Sequence, residues 1–147
     1  MSVTLVGTAM GSMDRSTDLE FLFEFSAACW LPHKIHYDAV YARHEGHEDV
    51  VVHGPLQGAY LGIFADEFAR SVGGDVLKLS YRHIQPAYVG RGVRVTGEVV
   101  ADEPGALPDD GRLGRVLTCS LVLTESATGR QTTTGTATVW VPQQANG

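Results

Sequence analysis

The chain has 147 residues, a length typical of a single domain. Its 11 basic and 17 acidic residues give a formal net charge of −6. This charge disfavours nucleic-acid binding, because scattered basic residues form no stripe for phosphates. Apolar residues make up 44% of the chain, which argues against disorder and is enough for one core, and no apolar run approaches the ~18–20 residues of a membrane span.

The first thirteen residues are left outside the predicted domain. They lack a basic region before an apolar stretch, so they do not predict a signal peptide, and we expect a cytoplasmic protein. Met10-Gly-Ser-Met13 fits either a native extension or a remnant of cloning. Cys29 and Cys119 are too few for a disulfide framework and are expected to be reduced and buried. Residues 14–147 are therefore expected to form one domain, and residues 1–13 an extension or remnant.

The first half of the chain predicts two strands and two helices. Apolar residues alternate with polar ones from residue 18, which predicts a half-buried strand through Leu19, Phe21, Phe23 and Phe25. Residues 37–43 predict a short helix and residues 50–52 a brief strand. A long helix is expected from Pro55 to about Val72, since proline suits the first helical position and two glycines follow.

Gly58 and Gly62 lie four residues apart within this predicted long helix. Each lowers helix propensity by up to ~1 kcal/mol relative to alanine. A close approach by a sheet or a ligand would explain them, and glycines tolerated without such a role are the alternative.

The second half of the chain predicts four strands, at residues 76–84, 93–100, 116–125 and 132–141. Residues 126–129 have hairpin character, and residues 102–114 are expected to form an exposed, mobile loop. Together these elements predict an α+β domain in which a curved antiparallel sheet packs on one central helix. Because the helix covers only one face, the other face or an edge is left for a partner, and we expect a dimer.

The most informative stretch runs Phe25-Ser-Ala-Ala-Cys-Trp-Leu-Pro-His-Lys-Ile-His-Tyr-Asp38, followed by Val51-Val-His-Gly-Pro-Leu-Gln57. Here the sequence resembles the MaoC-like hydratases and dehydratases of the hot-dog fold, particularly their mesaconyl-coenzyme A hydratase branch, over residues 18–142. The resemblance implies a curved sheet wrapped around one long helix. It also implies hydration of a 2-enoyl thioester, or dehydration of the 3-hydroxyacyl form, linked to coenzyme A or acyl carrier protein. No cofactor is implied, and the assembly is a homodimer or a hetero-oligomer with another hot-dog subunit.

This chemistry needs a base for water, a proton source for the α-carbon and donors for the enolate oxygen. The resemblance assigns the acid/base role to His36 and the thioester oxygen to the backbone N–H of Gly54. His33 is a second candidate, because it lies three residues before His36 and could face the same pocket. The free N–H groups and dipole of a helix start both favour negative charge there.

Five residues are expected to contact the substrate: Trp30 and Leu31 in the pocket wall, and His53, Gln57 and Arg82. His53 is also expected to orient the turn before the long helix. Arg82, Arg91 and Arg94 are candidate contacts for the phosphates of coenzyme A, and ordinary solvated strand charges are the alternative for each.

Leu31 departs from the family pattern, which has Asp or Asn five residues before the catalytic histidine. Leucine neither accepts a proton nor orients water. Three explanations remain open: His36 acts alone or with His33, a partner chain supplies the missing group, or the pocket binds acyl thioesters without hydrating them.

Other chemistries are considered and disfavoured. A hot-dog thioesterase would use a carboxylate near the long helix, for which Asp66 and Glu67 are candidates, but both lie far from the helix start. A zinc site is disfavoured because the histidine-rich segment has no supporting cysteine spacing and no His-Glu-x-x-His helix, although it contains His33, His36, His44 and His47. Cys29 is expected to be a structural thiol rather than a nucleophile.

Overall fold

The computed structural model describes residues 4–143 of the chain. The outermost residues of the predicted N-terminal extension (1–3) and of the predicted domain (144–147) lie outside the described part. None of the helices within the described part combines the length and apolar character needed to cross a membrane.

The fold is one five-stranded antiparallel sheet with a long helix packed on one face. In chain order the elements are β1 (Ala9–Arg15), α1 (Leu19–Ala28), a 3₁₀ turn (Lys34–His36), α2 (Ala39–His44), α3 (Gly54–Ser71), β2 (Asp75–His83), β3 (Val93–Ala106), β4 (Leu113–Glu125) and β5 (Gln131–Pro142). The strand order is β1-β3-β4-β5-β2, so β1 and β2 form the edges. The predicted α+β class and the curved sheet around a central helix are confirmed.

The core lies between α3 and the concave face of the sheet. The buried face of α3 presents aromatic and aliphatic side chains, among them Leu56, Tyr60, Leu61, Phe64 and Phe68. They belong to one cluster with alternate residues of the central strands, including Val95, Val99, Leu121, Leu123, Ala137 and Val139. Because strand side chains alternate between faces, the intervening polar residues are left toward solvent.

A row of glycines brings α3 close to edge strand β2. A Cβ built on Gly54 would lie 2.8 Å from His83 Nε2, one on Gly58 would lie 2.3 Å from the Tyr81 ring, and one on Gly62 would lie 3.5 Å from Leu79. The first two separations are shorter than real Cβ contacts. The prediction that a close approach explains Gly58 is therefore confirmed, and the approaching element is the sheet.

The predicted strand at residues 19–25 is wrong, because this segment forms α1. Asp18 caps the helix by accepting a hydrogen bond from the Phe21 N–H at 2.9 Å. The buried positions are Leu22 and Ser26, one helical turn apart, whereas Phe23 is 55% exposed. The segment carries both a helical pattern, with the Asp18 cap and burial at i, i+4, and a strand-like alternation. The helical pattern prevails.

The predicted domain boundary at residue 14 falls inside a strand. β1 begins at Ala9, pairs antiparallel with β3, and buries Met13 to 6% exposure. Residues 9–13 therefore belong to the sheet. Their pairing lay outside the sequence argument because the start of the chain was set aside.

The predicted loop over residues 102–114 is also shorter than expected. β3 and β4 continue as a paired hairpin to the register Ala106↔Leu113, so only residues 107–112 form the connection. That connection is closed by hydrogen bonds from Leu107 N to Arg112 O and from Gly111 N to Leu107 O. Glycine and proline within a long hairpin gave the segment its loop-like composition. The strands predicted at residues 76–84 and 132–141, the short helix and the long helix are confirmed within two residues of their ends. The strands predicted at residues 93–100 and 116–125 are also confirmed, but β3 extends six residues further at its end and β4 begins three residues earlier. Residues 50–52 contribute only an isolated bridge, Val51↔Tyr88.

Candidate active site

His36 closes the 3₁₀ turn, and the hydrogen bond of its ring defines which nitrogen can act as a base. His36 Nδ1 lies 2.8 Å from the backbone oxygen of Val51. A carbonyl oxygen only accepts, so Nδ1 carries the proton and donates it. In the neutral ring Nε2 is therefore the unprotonated nitrogen, and it has the lone pair that a general base needs.

The ring of His36 stacks on the ring of His53, with centroids 4.0 Å apart and planes inclined by 20°. His53 is fully buried, its Nε2 lies 2.7 Å from Ser26 Oγ, and the ring of Phe25 packs edge-on against it at 4.8 Å. The stack therefore holds one face of the His36 ring against His53, which directly precedes α3.

Both stacked histidines favour their neutral forms. Burial, followed by repulsion from His36, lowers the pKa of His53 to about 4. Burial also lowers the pKa of His36, and repulsion from His33 and His47 adds to this, against the opposing effect of the bond to Val51. At neutral pH, His36 is consequently held as a base rather than as an imidazolium.

Gly54 begins α3 directly after His53. Among residues 4–143, none accepts a hydrogen bond from the Gly54 N–H, and Pro55 has no N–H of its own. Gly54 itself is partly exposed. A free N–H at the positive end of a helix dipole suits an oxygen that gains negative charge. His36 thus stacks on the residue that directly precedes Gly54 in the chain.

His83 is a site residue that the sequence analysis missed. It ends β2, and its Nε2 packs against Gly54, 2.8 Å from where a Cβ on that glycine would lie. Its Nδ1 lies 2.8 Å from Thr133 Oγ1. The signal was present as two matched periodicities, since glycines at every fourth position of the helix face alternate residues of β2. The sequence analysis noted the glycines but not the β2 side chains that pack against them.

The other predicted site residues are not brought together in the same way. His33 is exposed and caps the 3₁₀ turn, its Nδ1 accepting from Ile35 N at 3.3 Å, with its ring 6.3 Å from that of His36. Trp30 is 85% exposed in a left-handed conformation with φ 52°, and Leu31 beside it is half-buried. Neither residue lines an enclosed wall within this chain alone.

Gln57 and Arg82 lie in different surroundings, the first in the interior and the second in edge strand β2. Gln57 is buried, and its Oε1 accepts from Thr132 Oγ1 at 3.0 Å and from Thr133 Oγ1 at 2.9 Å. Its amide therefore links α3 to β5. Arg82 lies between Tyr81 and His83 in β2, and since these neighbours face α3, the alternation of the strand points Arg82 to the opposite face.

Two further arginines that were candidates for phosphate contacts are engaged in ion pairs. Arg91 pairs with Glu48 at 2.8 Å and with Glu125 at 3.3 Å. Arg94 binds Asp14 through two hydrogen bonds of 2.7 and 3.0 Å. Both charges are compensated within the chain. Arg94 resembles the solvated strand charge given as the alternative, whereas Arg91 precedes β3 and pairs with a buried carboxylate.

The carboxylates of the thioesterase alternative lie far from Gly54. Asp66 is twelve residues along α3 from Gly54, roughly 18 Å at the rise of an α-helix. It forms an i, i+4 ion pair with Arg70 at 2.9 Å, and Glu67 is exposed. This position does not favour attack on a thioester held at the helix start.

The two cysteines differ from each other. Cys119 is buried, as predicted, and its burial raises the pKa of the thiol to about 11. Cys29 is exposed at the end of α1, so the expectation that it is buried is wrong. It caps a helix instead of following a strand, which is the physical reason for the difference.

Within residues 4–143, no group of three or more His, Cys, Asp or Glu side chains is arranged to hold a metal ion.

Comparison with known proteins places this geometry in a family. A family model described as hydroxyacyl-thioester dehydratase type 2 matches residues 10–89, which is more than half of the chain. Over 45 residues, the chain is 51% identical to mesaconyl-C(4)-CoA hydratase of Chloroflexus aurantiacus, a match that covers 30% of this chain and only 16% of that protein.

Solved structures share the fold at low sequence identity. A chain of the ChsH1–ChsH2 complex from Mycobacterium tuberculosis superposes with a TM-score of 0.75 at 19% identity, covering 95% of this chain and 99% of that one. The (R)-hydratase from A. caviae gives a TM-score of 0.74 at 22% identity, with 93% and 96% covered. The predicted hot-dog fold is confirmed by these structures. The chain belongs to the hydroxyacyl-thioester dehydratase type 2 family and has the hot-dog fold.

Proposed function

We propose that this chain catalyses the reversible hydration of a 2-enoyl thioester to the 3-hydroxyacyl thioester. One observation carries the proposal: the base-form imidazole of His36 is stacked on His53, and the N–H of the next residue, at the start of α3, has no acceptor within residues 4–143. Thioester hydration needs a base and an oxyanion donor in one place, and both groups are provided by rigid backbone-anchored elements.

In the hydration direction, His36 Nε2 removes a proton from water while the water oxygen attacks C3. The electron pair of the double bond moves toward the thioester, and the resulting enolate oxygen is bound by the Gly54 N–H. General acid–base catalysis of this kind contributes ~10²–10⁴-fold, and one oxyanion donor is worth ~10²–10³-fold in kcat. Proton transfer to C2 completes the product.

The substrate proposed is an acyl thioester of coenzyme A or of acyl carrier protein. The Chloroflexus aurantiacus relative is a mesaconyl-C(4)-CoA hydratase, which supports the first carrier. Trp30 and Leu31 are proposed to form the pocket wall together with a second subunit, because Trp30 is too exposed to do so within one chain. The unpaired edge of β2 is available for such pairing.

A second candidate is a non-catalytic subunit that pairs with an active hot-dog chain. It is favoured by Leu31, which stands where the family pattern has Asp or Asn, and the ChsH1–ChsH2 structure is an example of a complex of two chains. In that case the partner's catalytic group would complete the site.

The test follows the loss of enoyl-thioester absorbance with crotonyl-coenzyme A. His36→Gln is expected to lower kcat by ~10²–10⁴-fold, whereas His44→Gln, an exposed histidine at the end of α2, serves as the matched control and leaves it unchanged. Equal rates for His36→Gln and the parent would refute the assignment. A chain that is silent alone but active with a homologue carrying Asp at the position of Leu31 would support the subunit candidate. Release of free thiol that is lost in Asp66→Asn would indicate a thioesterase.

A further inference from the structure

His83 is held in one tautomer by a chain of hydrogen bonds that ends in the protein interior. Gln57 Nε2 donates to Val52 O at 3.4 Å, which sets the orientation of the amide. Its Oε1 then faces Thr133 Oγ1 at 2.9 Å and only accepts, so the hydroxyl of Thr133 donates to it. That hydroxyl has its proton committed and must accept from His83 Nδ1, 2.8 Å away.

The consequence is that Nδ1 of His83 carries a proton and Nε2 is the nitrogen that exchanges one. Nε2 lies 2.8 Å from the point where a Cβ on Gly54 would be, so it stands directly against the residue whose N–H is proposed to bind the thioester oxygen. The register His83↔Thr133 between β2 and β5 fixes the backbone beneath the ring. The position of the imidazole is therefore fixed by the strand register of its backbone and by the hydrogen bond of its Nδ1.

We propose that His83 is a second proton-transfer residue of this chain and takes the place of the carboxylate that Leu31 lacks. The inference rests on the proposed hydratase function. Hydration moves two protons, one off water and one onto C2, and Leu31 can assist neither. His36 and His83 reach the start of α3 from different elements, the first through its stack on His53 and the second through its contact with Gly54.

The step balances as follows. His36 Nε2 takes the proton of water as the C3–O bond forms, and protonated His83 gives its Nε2 proton to C2 as the enolate collapses. The product then contains the elements of one water molecule. His36 returns its proton to solvent and His83 recovers one from solvent, which is accessible because His83 is exposed at the edge of the sheet. Dehydration uses the same groups in reverse.

His83→Asn is the sharpest variant, because the amide nitrogen of asparagine occupies the position of Nδ1 and can keep the bond to Thr133. Only Nε2 is removed. We expect kcat to fall at least ~10²-fold, as for loss of a general acid, with KM changed less than about threefold and with an unchanged unfolding midpoint. His44→Gln is again the matched control.

A double-mutant cycle with Leu31→Asp separates proton transfer from a structural role. If His83 does the work of the missing carboxylate, Leu31→Asp raises kcat at least ~10-fold in the His83→Asn background and changes it little in the parent. An equal effect of Leu31→Asp in both backgrounds would overturn the proposal, as would a His83→Asn variant within threefold of the parent. Failure of the proposed function is distinct from both, since it appears as absence of hydration in the unmodified chain.

Discussion

Replacing Gly58 by alanine tests the contact that brings α3 against β2. The new Cβ would lie 2.3 Å from the Cζ and hydroxyl oxygen of Tyr81. A shift of a few tenths of an ångström cannot relieve this overlap, so the Tyr81 ring has to leave its position on the helix. Gly62 provides a matched control one turn further along, because its Cβ would meet Leu79 Cδ2 at an ordinary 3.5 Å.

Two effects of opposite sign set the magnitude. Alanine is favoured over glycine within a helix by ~1 kcal/mol, and this gain is common to both positions. Overpacking against a neighbouring side chain costs ~1–3 kcal/mol and applies only at Gly58. Gly62→Ala is therefore expected to raise the free energy of unfolding by up to ~1 kcal/mol. The free energy of unfolding of Gly58→Ala is expected to be ~1–3 kcal/mol lower than that of Gly62→Ala.

Urea denaturation followed by circular dichroism measures this gap as a shift in midpoint. Since Tyr81 is 44% exposed, its removal by Tyr81→Ala is tolerable, and in that background Gly58→Ala should recover the gain seen at Gly62. Equal stability of the two glycine variants in the parent chain would refute the close approach of β2, and with it the position of His83 against Gly54.

Three further outcomes are expected. Because the pKa of His53 falls from 6.5 to about 4 on folding, the unfolded chain binds the extra proton, so stability should decline as pH drops from 6.5 to 4. At ~1.4 kcal/mol per unit the loss is roughly 3 kcal/mol, and urea midpoints of a His53→Asn variant should show a flatter pH dependence. Glu125→Gln should cost ~3 kcal/mol in thermal or urea unfolding, since it leaves Arg91 and Arg130 without their fully buried carboxylate. Trp30→Asn should raise the free energy of unfolding by ~1 kcal/mol in the same assay, because asparagine tolerates the left-handed backbone there and Trp30 is 85% exposed; an unchanged midpoint would contradict this.

The sheet and the long helix could be predicted because their sequence patterns are unambiguous. Pro55 and the glycine pair that follows residue 72 frame α3, and the four later strands are each rich in β-branched residues between turns. The segment at residues 19–25 carries an alternating pattern and a helical one at once. Only the tertiary burial of Leu22 and Ser26 decides between them, and that information is not local.

The site was predictable where a residue type and a motif coincide, and not where it depends on register. The motif placed His36 before Gly54 in sequence, but the tautomer of His36 depends on Val51 O, and the position of His83 depends on the pairing of β2 with β5. The partners of Gln57 were not predictable for the same reason. Its amide sits beside two threonines that are 75 and 76 residues away, so it appears polar and available in the sequence but is satisfied in the fold.

The absence of a carboxylate at Leu31 and the neutral Nδ1 partner of His36 have one common effect. A negative charge near an imidazole stabilises its protonated form and raises its pKa. His36 instead donates to the uncharged carbonyl of Val51, so its ring gains no such stabilisation from its Nδ1 partner. Burial then lowers the pKa of His36 without opposition from a carboxylate. A site built in this way keeps its base unprotonated at lower pH than a His–Asp pair would. It therefore needs a separate group, on a different element, to return the second proton.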